Sequence, residues 1–290
     1  MINDQAARLR DISRLKRATE EHLRPVRRIA ITSGKGGVGK SNISINLGIC
    51  FQRLKRRVLL VDADTNLANI DILLGLSPKY TLGDAVIGGQ FLTDILLSGP
   101  EGLKILPASS GITELVGLDE VVADRLDNAM AQLESGQDAV ILDTGAGISP
   151  TVVQFASGAD EVIVVTTPEP TAITDAYATI KVISSRNPAL KFHLLVNFAK
   201  NRQQAEEVAR KIQLVVENYL TVKINTLGFI PFDAHVPQAV ARQKPFVLTN
   251  PHCPASLNIN LIARKLLRLP VEKKNGGSVF RHLFKTKELA

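Results

Sequence analysis

The nonapeptide SGKGGVGKS at residues 33–41 has the residue types and the spacing of a phosphate-binding loop. A glycine is followed by four residues and then by Gly-Lys-Ser, a pattern in which backbone N–H groups wrap around phosphates. We expect Lys40 to bridge the terminal phosphates of a nucleotide and the Ser41 hydroxyl to bind Mg²⁺. The loop also contains Lys35, a second lysine that this pattern does not require.

Three carboxylates stand where predicted strands end. Asp62 and Asp64 close the run VLLVDAD, and Asp143 closes VILD. Carboxylates in such positions can hold Mg²⁺ and its waters, or orient a water for attack on a γ-phosphate. A single Asp at a strand end is equally well explained as a helix N-cap. The presence of all three beside a phosphate loop favours the phosphate chemistry.

The elements that must position these residues alternate along the chain. The predicted strands are RRIAITS, RVLLVDAD, LKILPAS, DAVILDTG, DEVIVVTTP, KFHLLVNF and TLGFIPFD. Apolar residues at helical spacing predict helices over residues 43–54, 121–133, 172–183 and 205–220. This alternation predicts an α/β fold with a mostly parallel sheet flanked by helices on both faces. Ligands of such sheets bind at the carboxyl ends of the strands, where the loop and the carboxylates lie.

Composition restricts the class of protein. A chain of 290 residues can bury a large core, and its two cysteines are far apart, which suggests neither a disulfide framework nor a metal knuckle. This is typical of a reducing cytosol, so we expect a cytoplasmic protein. No apolar run reaches the roughly 18 residues of a membrane-spanning helix, and the charged start MINDQAARLR is unlike a secretory signal.

The net charge of +7 is concentrated at the two ends of the chain, and the body between them is mildly acidic. An acidic body argues against a broad DNA-coating surface, so we expect no direct contact with nucleic acid. Basic ends favour contact with anionic membranes or protein partners. They are also explained by solubility alone.

Several motifs together resemble those of the MinD/ParA family of ATPases, over roughly residues 26–270. KGGVGKS resembles the deviant phosphate loop of that family, and DADTNLANID and DTGAGI resemble its two switch segments. The resemblance implies ATP as substrate, Mg²⁺ as cofactor and slow hydrolysis that dimerisation activates. It implies nucleotide contacts along the whole loop, from Gly34, Lys35, Gly36, Gly37, Val38, Gly39, Lys40, Ser41 and Asn42.

The same resemblance gives Lys35 a role. In this family the extra lysine reaches across an ATP-bound homodimer to the phosphates of the partner subunit. A second cation at the developing charge would act as an arginine finger does elsewhere. The alternative is a lysine at a loop bend that points to solvent.

The switch segments carry the other roles that the resemblance implies. Asp64 would orient the attacking water, Asp62 would lie beside the metal, and Asp143 would contact Mg²⁺ through water. The chain departs from many relatives after the second Asp, where Thr65 and Asn66 replace Leu-Gly. That departure affects the expected mobility of the switch and the rate of hydrolysis.

Two further stretches match the family's base-binding residues. Asn197 in LLVNFAK matches the Asn that contacts adenine, and Pro231 and Asp233 in GFIPFD match the segment that closes over the base.

The N-terminal stretch DQAARLR resembles a motif of the FlhG family, also called FleN or YlxH, whose members limit flagellar number. In that family the motif binds the flagellar GTPase FlhF and stimulates its GTP hydrolysis, with Gln5 presented to the partner. Asp4, Leu9 and Arg10 belong to the same motif. Flagellar switch-complex proteins or a flagellar transcription activator are further partners that the resemblance implies. The alternative is a frayed leader segment.

The C-terminal stretch SVFRHLFKTKELA predicts a short amphipathic helix. It would place Val279, Phe280, Leu283 and Phe284 on one stripe, with Lys285 on the opposite side toward anionic headgroups. One copy should bind a membrane weakly, whereas two copies on an ATP dimer should bind much better. We therefore expect peripheral attachment to the inner face of the cytoplasmic membrane in the ATP state. The alternative is a helix packed back on the body.

These patterns divide the chain into a partner-binding segment at residues 1–25, an ATPase domain at 26–271, and a linker with the membrane helix at 272–290. Three other readings remain open: a cell-division MinD-type ATPase, a DNA-partition ParA-type ATPase, and an iron–sulfur carrier. The carrier needs suitably placed thiolates, and Cys50 and Cys253 form no such pair.

Overall fold

A computed structural model describes residues 26–64, 69–80, 84, 89–107, 128 and 130–270 of the chain. Several predictions concern residues outside these ranges. They are the partner-binding residues Asp4, Gln5, Leu9 and Arg10, the switch residues Thr65 and Asn66, the membrane residues Val279, Phe280, Leu283, Phe284 and Lys285, and most of the helix at 121–133.

The described residues form one eight-stranded sheet in the order β3-β4-β2-β5-β1-β6-β7-β8. The strands are β1 Arg27–Ser33, β2 Val58–Ala63, β3 Leu97–Ser98, β4 Lys104–Leu106, β5 Ala139–Ala146, β6 Glu161–Thr166, β7 Lys191–Ala199 and β8 Ile224–Pro231. All neighbouring strands run parallel except β3 and β4. The predicted mostly parallel sheet is confirmed.

Nine helices of the described part connect or follow these strands. They are α1 Lys40–Arg53, α2 Ile70–Leu74, α3 Leu92–Ile95, α4 Pro150–Ser157, α5 Pro170–Arg186, α6 Arg202–Tyr219, α7 His235–Ala241, α8 Phe246–Thr249 and α9 Pro254–Leu266, with a 3₁₀ turn at Pro100–Gly102. The sequence predicted α1, α5 and α6 and did not predict α4, α7 or α9. No helix in the described ranges is long and apolar enough to cross a membrane.

Central strand β1 is buried on both faces, and its residues alternate between two cores. Ile29 and Ile31 belong to the core that includes α1 and α9, whereas Ala30 belongs to the core that includes α5 and α6. Successive residues of a strand point to opposite faces, so each face of β1 must be covered by helices. The predicted three-layer arrangement is therefore confirmed, and complete burial of each isoleucine contributes about 1.5–3 kcal/mol.

The strand order brings the predicted site residues to one edge of the sheet. β1 lies between β5 and β6, and β5 in turn pairs with β2. The phosphate loop leaves the carboxyl end of β1, while Asp62 of β2 lies directly opposite Asp143 of β5 in the register. The loop and both switch carboxylates consequently surround the same point, as the parallel sheet predicted.

Candidate functional site

The phosphate loop runs from the end of β1 to the start of α1, and its backbone depends on two glycines. Gly37 has φ 78° and Gly39, the residue before α1, has φ 92°. These left-handed conformations cost a glycine little and strain other residues. The Ser33 hydroxyl donates to the Lys35 carbonyl at 2.7 Å, which closes the first turn of the loop. The loop thereby leads into the N-terminus of α1, whose free N–H groups favour a bound anion.

Two other elements hold the loop from outside. The Asn197 amide at the end of β7 donates to the Val38 carbonyl at 2.7 Å, and a Cβ on Gly39 would lie only 2.5 Å from the same amide nitrogen. A Cβ on Gly34 would overlap the backbone of Asp175 in α5. Glycine at these two positions is therefore required by close approach of neighbouring elements.

An open cavity of about 530 Å³ lies over the loop. Its lining includes Gly36, Gly37, Gly39, Lys40, Ser41 and Asn42 from the loop and helix α1, and Asp64, Asn69, Ile72, Leu73, Ala146 and Phe198 from the surrounding segments. Lys40 is only 8 % exposed. Burial lowers the pKa of Lys40, and the charges of Asp143 and Asp64 oppose this effect. Most residues predicted for phosphate binding and Asp64 meet in this one cavity.

Asp143 is almost fully buried and lies beside two serines of α1. The Ser44 hydroxyl donates to its carboxylate at 2.7 Å, and the Ser41 side chain lies near it. Burial raises the pKa of Asp143 to about 6, although both serines and Lys40 oppose the shift. Ser44 was not predicted as a site residue, even though its position three residues after Ser41 places both hydroxyls on one helix face.

Asp62 binds the backbone of the first switch segment. Its carboxylate accepts hydrogen bonds from the N–H groups of Asp64 at 3.1 Å, Asn69 at 3.1 Å and Ile70 at 3.3 Å. Burial, followed by the charge of Asp143, raises the pKa of Asp62 to about 7. In this structure Asp62 caps the start of α2, so its place beside a metal stays a prediction.

The oxygen donors of this cluster fit Mg²⁺. The Ser41 hydroxyl and the carboxylates of Asp62 and Asp143 are hard ligands of the kind that Mg²⁺ prefers. Burial is the first cause of the raised pKa of both carboxyls, and repulsion from a neighbouring carboxylate adds to it, from Asp143 for Asp62 and from Asp64 for Asp143. A divalent cation would remove that repulsion.

The second switch segment, at the end of β5, is attached to the phosphate loop. The Gly147 N–H donates to the Ser33 carbonyl at 2.8 Å, and the Thr144 hydroxyl donates to the Ile31 carbonyl at 3.1 Å. A Cβ on Gly145 would lie 3.2 Å from Asp64 Oδ1, so the two switch segments approach each other closely. Movement in either segment would therefore displace its neighbour.

Lys35 contacts its own subunit in this structure. Its ammonium group pairs with the Glu169 carboxylate and donates to the Thr171 hydroxyl at 3.2 Å. The Lys35 side chain is 40 % exposed, and Glu169 directly precedes α5. Lys35 is thus neither free in solvent nor inside its own phosphate cavity, and its contact with a partner subunit stays a prediction.

A second, narrower cavity of about 50 Å³ adjoins the phosphate cavity, with which it shares Gly39, Asn42 and Phe198. The base-binding residues Asn197, Pro231 and Asp233 all line it, together with Ile43, Ile230, Phe232, Val236, Pro237 and Phe246. It is too small to hold a purine, so a base could enter only if the walls moved apart.

Phe198 lines both cavities. It has φ 58°, a left-handed conformation that is strained for a bulky residue, and it remains 38 % exposed. Phe198 was not predicted as a site residue, because nothing in the sequence signals a positive φ at a phenylalanine.

Asp233 caps two helices. Its carboxylate accepts from the His235 N–H at 3.0 Å, from His235 Nδ1 at 2.8 Å and from the Ala255 N–H at 3.1 Å. Burial would raise the pKa of Asp233, but these hydrogen bonds outweigh it and lower the pKa to about 2. The carboxylate is committed to the starts of α7 and α9, so its contact with a base stays a prediction.

Comparison with known proteins agrees with this geometry. The family model of the CobQ/CobB/MinD/ParA nucleotide binding domain matches residues 29–246. Antiactivator FleN of Pseudomonas aeruginosa is 41 % identical over 255 residues, which cover 88 % of this chain and 91 % of that protein. Flagellum site-determining protein YlxH of Helicobacter pylori is 33 % identical, and the match covers 98 % of this chain and 99 % of that protein.

A solved structure shares the fold. The septum site-determining protein MinD of Pyrococcus horikoshii, complexed with Mg-ADP, superimposes with a TM-score of 0.67 at 24 % identity. The match covers 83 % of this chain and 96 % of that one.

Proposed function

We propose a function from one premise: this chain belongs to the CobQ/CobB/MinD/ParA family of nucleotide-binding proteins and is an ATPase that uses ATP and Mg²⁺. Our proposal is that it works as an ATP-driven, dimerising switch that regulates the number or placement of flagella. The observation that carries the chemistry is that Lys40 and Asp64 line one phosphate cavity, with the buried Asp143 close to Lys40.

The phosphate loop would bind the nucleotide through its backbone N–H groups and Lys40. Ser41 and Asp143 would hold Mg²⁺, which supplies charge neutralisation at the phosphate oxygens. Because Lys40 is buried, its interaction with a phosphate is screened little by water. The loop is already held in shape by Asn197 and the second switch segment, so binding requires little reorganisation of its backbone.

Asp64 lines the same cavity, where its carboxylate would orient the attacking water. Lys35 would leave Glu169 and reach the phosphates of a second subunit, so that ATP favours a homodimer. An exposed ion pair contributes at most about 1 kcal/mol, so a highly charged triphosphate competes with Glu169 easily. Hydrolysis would then proceed in the dimer and end with its dissociation.

The flagellar role rests on YlxH, whose name states that it determines the flagellum site, and on FleN, whose name is one of those of the FlhG family that the N-terminal motif resembles. The similarity to YlxH covers 98 % of the chain, and the similarity to FleN is the higher in identity. We propose that Gln5 and its neighbours in DQAARLR stimulate the GTPase FlhF, and that the C-terminal stripe around Phe280 and Phe284 attaches the ATP dimer to the membrane. Flagellar switch-complex proteins or a transcription activator would be further partners.

The test uses the full-length protein with the FlhF GTPase of the same organism. Phosphate release from GTP should rise with the wild-type chain and stay at the basal rate with Gln5→Ala. Gln203→Ala, at an exposed position of α6, is the matched control and should stimulate like wild type. Stimulation that survives Gln5→Ala would refute the role of the N-terminal motif.

Membrane attachment has its own test. The full-length protein should sediment with anionic liposomes in the presence of a non-hydrolysable ATP analogue and remain in the supernatant with ADP. Phe280→Glu should abolish the sedimentation, because it places a charge on the apolar stripe. Equal sedimentation in both nucleotide states would contradict an ATP-dependent attachment.

A further inference from the structure

Three side chains with metal-binding atoms meet outside the phosphate cavity. Asp233 follows β8, His235 opens α7, and Cys253 is the residue before α9. One ligand atom from each lies within 4.8 Å of the other two. Within the described residues, this is the sole group of three or more such side chains that includes histidine or cysteine.

We propose that Asp233, His235 and Cys253 form a binding site for a thiophilic divalent transition-metal ion of the Zn²⁺ class. A thiolate, an imidazole and a carboxylate are the donors that Zn²⁺ uses, and three protein ligands leave its fourth position for water. Mg²⁺ prefers all-oxygen coordination, so this site would select against the cofactor of the phosphate cavity.

The geometry requires only small movements. His235 Nδ1 already lies 2.8 Å from Asp233 Oδ1. Zn²⁺ holds its ligands at roughly 2.0–2.3 Å, which places neighbouring donor atoms about 3.3–3.7 Å apart. The pair would open by less than about 1 Å and the Cys253 sulfur would approach by a similar distance, within the reach of a side-chain rotation. The Asp233–Ala255 hydrogen bond would continue to orient the carboxylate from behind.

Charge and access also suit a cation. The Asp233 carboxylate supplies an oxygen donor that the N–H groups of His235 and Ala255 hold in place. The His235 side chain is 49 % exposed, which gives an ion a path from solvent, whereas Cys253 is only 7 % exposed and lies at the inner end. Binding would release the thiol proton of Cys253 and leave a thiolate–metal bond in its place.

Because of the position of the site, a bound ion would affect the binding of the nucleotide. Asp233 also lines the narrow cavity beside the phosphate loop, together with Phe232 and Val236. An ion joining the end of β8 to the start of α9 would resist the widening that a purine needs. We therefore expect the metal to slow nucleotide exchange, an effect that rests on the proposed function, whereas metal binding itself does not.

The experiment titrates Co²⁺ into the reduced, nucleotide-free full-length protein. Thiolate coordination produces a sulfur-to-cobalt charge-transfer absorption, which the oxygen ligands near the phosphate loop cannot produce. We expect this absorption to appear, to be abolished by stoichiometric Zn²⁺ and to persist in excess Mg²⁺. Absence of the absorption would overturn the site.

The chain offers matched controls, because it contains only two cysteines. Cys253→Ser should lose the absorption and still fold, since serine is a favoured N-cap for α9. Cys50→Ser, in the buried face of α1, should keep it. His235→Ala should weaken Co²⁺ binding by more than about tenfold, and His252→Ala, at an exposed neighbouring position, should not. An absorption that survives Cys253→Ser would refute the assignment.

A stopped-flow measurement tests the coupling separately. Release of a fluorescent ADP analogue should be slower with Zn²⁺ bound in wild type and unaffected by Zn²⁺ in Cys253→Ser. If Co²⁺ binds as described but release is unchanged, the coupling is wrong and the metal site stands. If the analogue fails to bind at all, the failure lies with the proposed nucleotide function.

Discussion

Lys35 of the phosphate loop forms an ion pair with Glu169, the residue that directly precedes α5 in the same subunit. The pair joins positions 134 residues apart and is reinforced by the Thr171 hydroxyl. Both side chains are partly exposed, so the pair is screened by solvent and easily exchanged. Lys35 therefore lies on the side of α5, in an ion pair that another anion could replace.

The first prediction concerns Lys35→Ala. This variant should keep most of its affinity for ATP, because Lys40 and the loop backbone remain, but it should lose ATP-dependent dimerisation. Analytical ultracentrifugation with a non-hydrolysable ATP analogue measures the effect. Glu169→Gln is the complementary variant, and it should dimerise at least as well as wild type because Lys35 is released. Unchanged dimerisation of Lys35→Ala would rule out a role across the subunit interface.

Asp64→Ala should bind ATP and remain dimeric. Loss of the group that orients the attacking water should reduce turnover by at least about 100-fold. Steady-state phosphate release and sedimentation of the ATP-bound form give the two readouts. Asp71→Ala, in the helix that follows, is the control and should turn over normally, since Asp71 is not among the residues that line the phosphate cavity. Normal turnover of Asp64→Ala would remove Asp64 from the mechanism.

Asn197→Ala should weaken ATP binding by roughly tenfold or more. The substitution leaves the Val38 carbonyl without its donor, at a cost of about 1–3 kcal/mol, and loosens the loop at Gly39. Titration with a fluorescent ATP analogue measures the dissociation constant. Asn201→Ala removes the N-cap of α6, where Asn201 accepts from the Gln204 N–H at 2.9 Å. It should lower stability by about 1 kcal/mol with no change in ATP affinity. Equal ATP affinities for the two variants would contradict this view of the loop.

We expect Glu161 to contribute to stability in a pH-dependent way. It begins β6 and so lies at the amino ends of the strands, away from the phosphate cavity. The hydrogen bond from His193 lowers the pKa of Glu161 to about 2 against the opposing effect of burial, and Arg27 adds to the shift. A carboxyl with a lowered pKa stabilises the fold above its unfolded pKa of 4.5 and loses that contribution as pH falls toward 2.

Glu161→Gln should therefore lower the free energy of unfolding near pH 7 by about 2 kcal/mol. The difference from wild type should shrink steadily between pH 4.5 and 2. Urea unfolding followed by circular dichroism over this pH range is the measurement. Glu206→Gln, which breaks an exposed pair with Arg202, should leave both stability and its pH dependence unchanged. A constant difference between wild type and Glu161→Gln across the range would show that packing, and not charge, is responsible.

The sheet was largely predictable because its strands are buried on both faces. Residues such as Ile29, Ala30 and Ile31 lie in a continuous apolar run. Seven runs of this kind were predicted as strands, and they coincide with seven observed strands. The eighth, β3, has two residues and leaves no periodicity to detect. Helix α9 was not predicted, because it follows the Pro-flanked stretch NPHCPAS. That stretch indicates a turn more strongly than it indicates the start of a helix.

The site was predictable as far as the chemistry lies in local motifs. Asp62 and Asp143 could be named as acidic groups, but their mutual repulsion depends on a register between strands 81 positions apart. The contacts of Glu169 with Lys35 and of Asn197 with Val38 join distant segments, and no local pattern records them. Asp233 shows the limit most clearly, since the residue matched by motif has its carboxylate hydrogen-bonded to two helix starts.

Helix α5 touches the phosphate loop at two points, through the Lys35–Glu169 pair and through the close approach of Asp175 to Gly34. Both contacts fall on neighbouring residues at the start of the loop, so a displacement of α5 would move that turn of the loop, and a movement of the turn would displace α5. A protein that pushed on the outer face of α5 would change how the phosphate loop binds the phosphates, without entering the cavity. Conversely, a change in the bound phosphates would shift α5 and so change the outer surface of the molecule.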